Sequence, residues 1–294
     1  MKLKIDSKFN IIDQDQDYIL FLGTSHTMCE CKRGLGTHLK EEDTWVYKLS
    51  EKYKLPYVRL AFGGSENWQM LQMLISFIRD NANFHRRCKM VIADVRLGGQ
   101  NTFMSFDSSL LDYNDYVLYD KAVHGWHSTG EFNNNHIESH INASAIGISK
   151  ETVGMQKDPT SKRELQTLFE ASVILKGTAY DWQRCFYDIV SINHILDQCK
   201  TPFFWFTFSD RSVYRNTDIE VFYNHVLDSL KSEYSDVWSK NIAKEDIDIM
   251  NLFKIRNYKE SGTTCECLHL DENFQNRIAD YISDKISKLG EQHE

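Results

Sequence analysis

Two residues near opposite ends of this chain are of the types, and in the settings, that nucleophilic chemistry needs. Ser25 stands in the stretch YILFLGTSHTM, where an apolar run from Tyr18 to Leu22 stops at Gly23 and the polar residues Thr24, His26 and Thr27 surround the serine. A strand that ends in a tight turn delivers such a serine to the carboxyl edge of a sheet. In open α/β sheets ligands bind at that edge, and a helix N-terminus there offers backbone N–H donors to an oxyanion. Far along the chain, Cys265-Glu266-Cys267-Leu268-His269-Leu270-Asp271 leads into the final amphipathic stretch. A carboxylate three residues before an imidazole can hold it in the tautomer that accepts a serine proton. Ser25, His269 and Glu266 thus make a candidate nucleophile, general base and orienting acid. Ser25 alone would serve as a helix N-cap and His269 alone as an ordinary hydrogen-bonding loop residue. Their joint occurrence is what points to acyl transfer.

Other chemistry-bearing groups are weaker. Two Cys-x-Cys pairs, Cys29/Cys31 and Cys265/Cys267, offer four thiols in two loops, but structural zinc spaces its cysteine pairs more widely, so free thiols are expected and no metal. His136 and His140 have a helical spacing in a polar setting, FNNNHIESH, and are expected to be solvated. No phosphate-binding P-loop is present, and no cofactor is expected.

The elements that must position Ser25 and His269 follow from periodicity. Tyr18 to Leu22 is the first strand. Thr44 caps a helix to Tyr53 with Trp45, Val46 and Leu49 on one face, and Pro56 opens a second strand, Tyr57 to Phe62, that ends at Gly63 and Gly64. Ser65 caps a long helix to about Ala82 whose apolar stripe is Trp68, Leu71, Leu74, Ile75 and Ile78. Lys89 to Val95 is a near-continuous apolar run of the kind that parallel sheets bury on both faces. Helices over 161–176 and 179–198, a strand over 203–208, a helix over 219–234, a fifth strand over 247–252 and a last helix over 272–289 complete the chain. In the last helix Phe274, Ile278, Ile282 and Ile286 form one stripe. A short edge strand is expected at Leu3 to Ile5, and the basic run His85-Arg86-Arg87 is expected to be a solvated loop. Alternation of strand and helix predicts a doubly wound, flavodoxin-like α/β/α sandwich around a parallel five-stranded sheet. Residues 96 to about 158, rich in Asn, Ser, Gly and His, are too long for a simple connection; they are expected to be an insertion over the active edge of a single domain spanning 1–294.

Composition narrows the partners. A formal net charge of −8 gives no electrostatic footprint for nucleic acid. No apolar run is long enough for a membrane span, the first 17 residues do not resemble a signal peptide, and seven cysteines, an odd number, suit a reducing compartment. A cytoplasmic protein is expected, or a virion-associated one if the chain is phage-encoded.

At this point the sequence resembles the SGNH, or GDSL-type, hydrolase family. Gly23-Thr24-Ser25 is similar to the family's first block, with threonine where the family name has aspartate; LAFGGSEN is similar to the second, and Glu266 with His269 to the last, in which aspartate is usual. GTSHT, Thr44-Trp45 and GGSEN look most like a subgroup found in phage and bacterial genomes. The resemblance covers roughly residues 18–95 and 200–288. It implies Ser25 as nucleophile, His269 as base and Glu266 as acid, with Asp271 as the alternative acid. It also implies an oxyanion hole with N–H donors at Ser25 and at Gly64 or Gly63. The family's third block, an asparagine soon after the third strand, is matched only by Asn101, six residues on, and Asn67 or Arg96 could stand in that corner. The implied reaction is hydrolysis of small O-acyl esters, such as acetyl groups on carbohydrate. A non-catalytic module of the same scaffold, binding carbohydrate or serving in a phage structure, is the alternative.

Overall fold

Strand β1 (Tyr18–Gly23) is buried along its whole length, and both its edges carry parallel partners: β2 (Tyr57–Ala61) on one side and β3 (Cys88–Asp94) on the other. These elements come from a computed structural model that describes residues 2–3, 11, 16–28, 39–61, 67–97, 102–103, 146–147, 163, 179–208, 218–243 and 272–291. Leu22 lies opposite Leu60 on one neighbour and Ala93 on the other, so β1, β2 and β3 finish at the same edge. A two-residue antiparallel pair, β4 (Thr102–Phe103) with β5 (Ile146–Gly147), forms a sheet of its own. Strand β6 (Phe203–Phe206) then adds in parallel to the far side of β3, giving the order β2-β1-β3-β6. From β1 the chain winds outward first through β2 and then, on the other side, through β3 and β6. That reversal lies between β1 and β3, and in doubly wound sheets it opens a crevice just beyond the carboxyl ends of the two strands.

Helices cover both faces. Helix α1 (Ser25–Met28) follows β1 directly, α2 (Trp45–Tyr53) leads into β2, α3 (Asn67–Asp80) returns from it, and α4 (Phe84–Arg87) is a single turn before β3. The later helices are α5 (Ala179–Gln198), α6 (Asp218–Glu233), α7 (Ser235–Ser239) and α8 (Glu272–Glu291). Thr44 caps α2, its hydroxyl accepting the N–H of Tyr47. On one face Phe21 meets the ring of Trp45 edge-on at 5.3 Å, and Ile19, Ile92 and Phe206 share a core with Ile278 and Ile282 of α8. On the other, Tyr18 packs edge-on against Phe77 of α3, while Trp205 meets Phe186 of α5 and Trp238 of α7. β1 and β6 are wholly apolar apart from Gly23, as suits strands covered by helices on both faces, whereas β2 carries Arg59 and β3 carries Lys89, which is exposed, and Asp94.

The expected α/β architecture with a parallel sheet is therefore present, with four strands among the described residues. The fifth strand, at 247–252, and the helix at 161–176 lie outside the described residues, apart from Arg163. Of the expected edge strand, Leu3 donates its N–H to the carbonyl of Tyr57, and residues 4 and 5 lie outside the described set. The chain divides into one compact unit made of residues 1–97 with 183–294, and a second made of 98–182. No helix among the described residues is long and apolar enough to cross a membrane.

Two expectations are corrected. The basic run at 85–87 is a helical turn, α4, rather than a loop, though His85 and Arg86 are exposed as expected. The buried stripe of α3 is Asn67, Met70, Met73, Leu74 and Phe77, whereas Ile75 is 48% exposed. Two apolar faces compete in that helix, and the rotation is set by Asn67, whose side chain is hydrogen-bonded into the interior. Phe77→Ala should therefore destabilise the protein by about 3–5 kcal/mol and Ile75→Ala by less than about 1 kcal/mol in urea unfolding. Equal losses would show that the helix is turned the other way.

Candidate active site

The turn after β1 is built around a glycine and a buried carboxylate. A Cβ at Gly23 would lie 2.1 Å from the Thr27 hydroxyl oxygen and 3.1 Å from the Asp94 Cβ, so only glycine lets α1 fold back this closely on the strand end. Thr24 starts the helical turn: its carbonyl accepts the N–H of Thr27 at 3.1 Å and its hydroxyl accepts that of His26 at 3.3 Å. Asp94 ends β3 one step from the end of β1, and is only 1% exposed. A single carboxylate oxygen, Oδ2, accepts the N–H of Thr24 (3.2 Å), its hydroxyl (2.5 Å) and the hydroxyl of Thr27 (3.2 Å). Burial nevertheless dominates and pushes the Asp94 carboxyl up to about 6, against the pull of the Thr24 bonds and the charge of Arg96.

A second set of contacts ties this turn to the other end of the chain. Trp45 donates its indole N–H to the carbonyl of His26 at 3.2 Å, and its backbone N–H to the side-chain oxygen of Gln275, in the first turn of α8, at 2.9 Å. The His26 ring lies against Phe208 with centroids 4.8 Å apart. One tryptophan thus bridges the residue after Ser25 and the start of the helix that follows the His269 segment.

The candidate residues distribute as follows. The backbone of Ser25 is the first residue of α1, at the carboxyl edge of β1 beside β3, while its side chain is not among those described. Gly63, Gly64, Asn101, Glu266, His269 and Asp271 lie outside the described residues, as do the two Cys-x-Cys pairs, His136 and His140. Asn67 and Arg96 are described, and they meet. The Asn67 amide donates to the carbonyls of Arg96 (2.7 Å) and Cys185 (2.9 Å) and accepts the N–H of Arg96 (2.8 Å). Asn67 is fully buried and both its amide hydrogens are engaged, so its side chain ties together α3, the end of β3 and α5. Arg96 has its backbone held by that tie, and its half-buried side chain brings a positive charge to the neighbourhood of Asp94. No group of three or more metal-ligating side chains occurs among the described residues.

Asp94 was not among the residues singled out from the sequence. The signal was there: a carboxylate closing the apolar run KMVIAD must find donors, because a charge buried on both faces of a sheet is otherwise prohibitively costly. Chemically, the turn consumes most of its own donors: the N–H groups of Thr24, His26 and Thr27 are taken by Asp94 and by Thr24 itself.

Because the native state holds the Asp94 proton more tightly than the unfolded chain, with its ordinary value of 3.8, this group stabilises the fold fully below pH 4. That contribution is lost as pH rises through about 6. Asp94→Asn should therefore gain in melting temperature relative to wild type between pH 4 and pH 7, by a few degrees. A gap that stays constant across that range would show that Asp94 titrates normally.

No model of a known protein family matches this sequence, and no curated protein does. Among solved structures the chain is similar to the psychrotrophic esterase EstA from a Pseudoalteromonas species, in a structure inhibited by monoethylphosphonate. The TM-score is 0.42 and the identity 11%, over 93% of this chain and 98% of that one.

Proposed function

We propose that this chain is a serine esterase of SGNH type that hydrolyses small O-acyl esters through an acyl-enzyme. The observation that carries the proposal is the position of the Ser25 backbone, at the head of α1 on the crevice edge and tied through Trp45 to the start of α8. His269 is three residues before that helix, a span of at most about 10 Å of extended chain, so the tie supports an encounter between the two.

In the proposed reaction Ser25 Oγ attacks the ester carbonyl while His269 takes its proton, with Glu266 holding the imidazole and Asp271 as the alternative acid. The N–H groups of Ser25 and of Gly64 or Gly63 receive the oxyanion. The protonated His269 returns its proton to the departing alcohol, and water then releases the acyl group by the reverse sequence. With Asn67 engaged elsewhere, a third oxyanion donor must come from Asn101 or Arg96. The motif resemblance makes acetyl esters of carbohydrate the first substrate class, and the segment from 96 to about 158 the place where selectivity resides.

The engagement of Asn67 also favours a second reading, a binding module that keeps the scaffold without turnover. One missing oxyanion donor costs roughly 2.7–4 kcal/mol of transition-state stabilisation. Hydrolysis of p-nitrophenyl acetate separates the two. Wild type should turn over, and Ser25→Ala and His269→Ala should each lower kcat by about 1,000-fold or more. Equal rates for wild type and Ser25→Ala would remove the nucleophile and with it the esterase.

A further inference from the structure

We infer that Asp94 is a positioning residue for the Ser25 turn: by gathering the Thr24 N–H and the Thr24 and Thr27 hydroxyls on one carboxylate oxygen, it fixes the N–H of Ser25 as an oxyanion donor without touching substrate. The inference rests on the esterase reading. Its geometric basis is that the three bonds bracket the serine, Thr24 preceding it by one residue and Thr27 following it by two.

A four-residue helix has too few internal bonds to define its own orientation, so α1 takes its geometry from what it is tied to. Asp94 is a rigid anchor. It ends a strand paired on both sides, with Ala93 in register with Leu22 of β1 and Asp94 itself in register with Phe206 of β6. Gly23 removes the one side chain that would hold the turn away from this anchor. The arrangement has the character of a catalytic support rather than a stabilising one. A buried carboxylate is a costly way to tie down a turn that an amide or hydroxyl could hold at lower cost, but it offers one charge-assisted bond, from the Thr24 hydroxyl at 2.5 Å, that is shorter and stiffer than a neutral one. Oxyanion donors act by being in place before charge develops, and a displacement of about 1 Å is enough to forfeit much of their effect.

The test combines p-nitrophenyl acetate kinetics with NMR-detected amide exchange at Thr24 and Ser25 in wild type, Asp94→Asn, Thr27→Val and Thr27→Ser. Asp94→Asn should lower kcat by about 10- to 100-fold with KM within about twofold, and speed exchange at Thr24 by about tenfold or more. Thr27→Val should shift both in the same direction, and Thr27→Ser, which keeps the hydroxyl, should recover most of the loss. Asp94→Asn with wild-type kcat, or a fall in kcat without faster exchange, overturns the assignment. If Asp94→Asn does not fold, the Thr27 pair decides, and indistinguishable Val and Ser variants overturn it. Absence of turnover by wild type removes the esterase instead, and the exchange rates alone then decide whether Asp94 holds the turn.

Discussion

A carboxylate buried at the end of a central strand is the constraint from which the rest of this architecture follows. Asp94 has almost no access to water, and it is tolerable there only because three donors converge on it from the turn after β1. Those donors arrive because β1 and β3 are parallel neighbours that stop at the same level, which the winding order imposes. The close approach in turn demands a residue without a side chain at Gly23. Strand order, register, a glycine and two threonines are thus parts of one solution.

The same edge differs in character from the rest of the sheet. Elsewhere the sheet is apolar on both faces, and aromatic pairs such as Phe21 with Trp45 and Trp205 with Trp238 fill it. At the crevice the interior turns polar: Asp94 meets the threonines, and Asn67 holds both backbone groups of Arg96. Such satisfied networks define a single local geometry.

What could be read in the sequence was what depends on local periodicity. The run from Tyr18 to Leu22, the capped helix after Thr44, the helix from Ala179 to Gln198 and the stripe Phe274, Ile278, Ile282, Ile286 all declare themselves through short-range spacing, and all four are found. What could not be read depends on partners distant in the chain. The rotation of α3 is decided by a polar residue, Asn67, reaching Arg96 and Cys185, so counting apolar residues selected a stripe that shares Leu74 with the buried one but is turned toward water at Ile75. Asp94 was overlooked for the same reason, since its donors lie about 70 residues earlier. Of the candidate site, the position of the Ser25 backbone follows from a strand ending in a tight turn, whereas no spacing rule indicates that Trp45 would connect that turn to α8.

That connection has a bearing on how the molecule is made. Trp45 and Gln275 are separated by 230 positions, so the clasp on the turn that carries Ser25 is among the most non-local contacts of the described residues. Loop-closure entropy makes such contacts late events, and during synthesis α8 leaves the ribosome long after β1. The turn that carries Ser25 is therefore laid down early and fastened late, and a nascent chain holds it without the brace that Trp45 and α8 later supply.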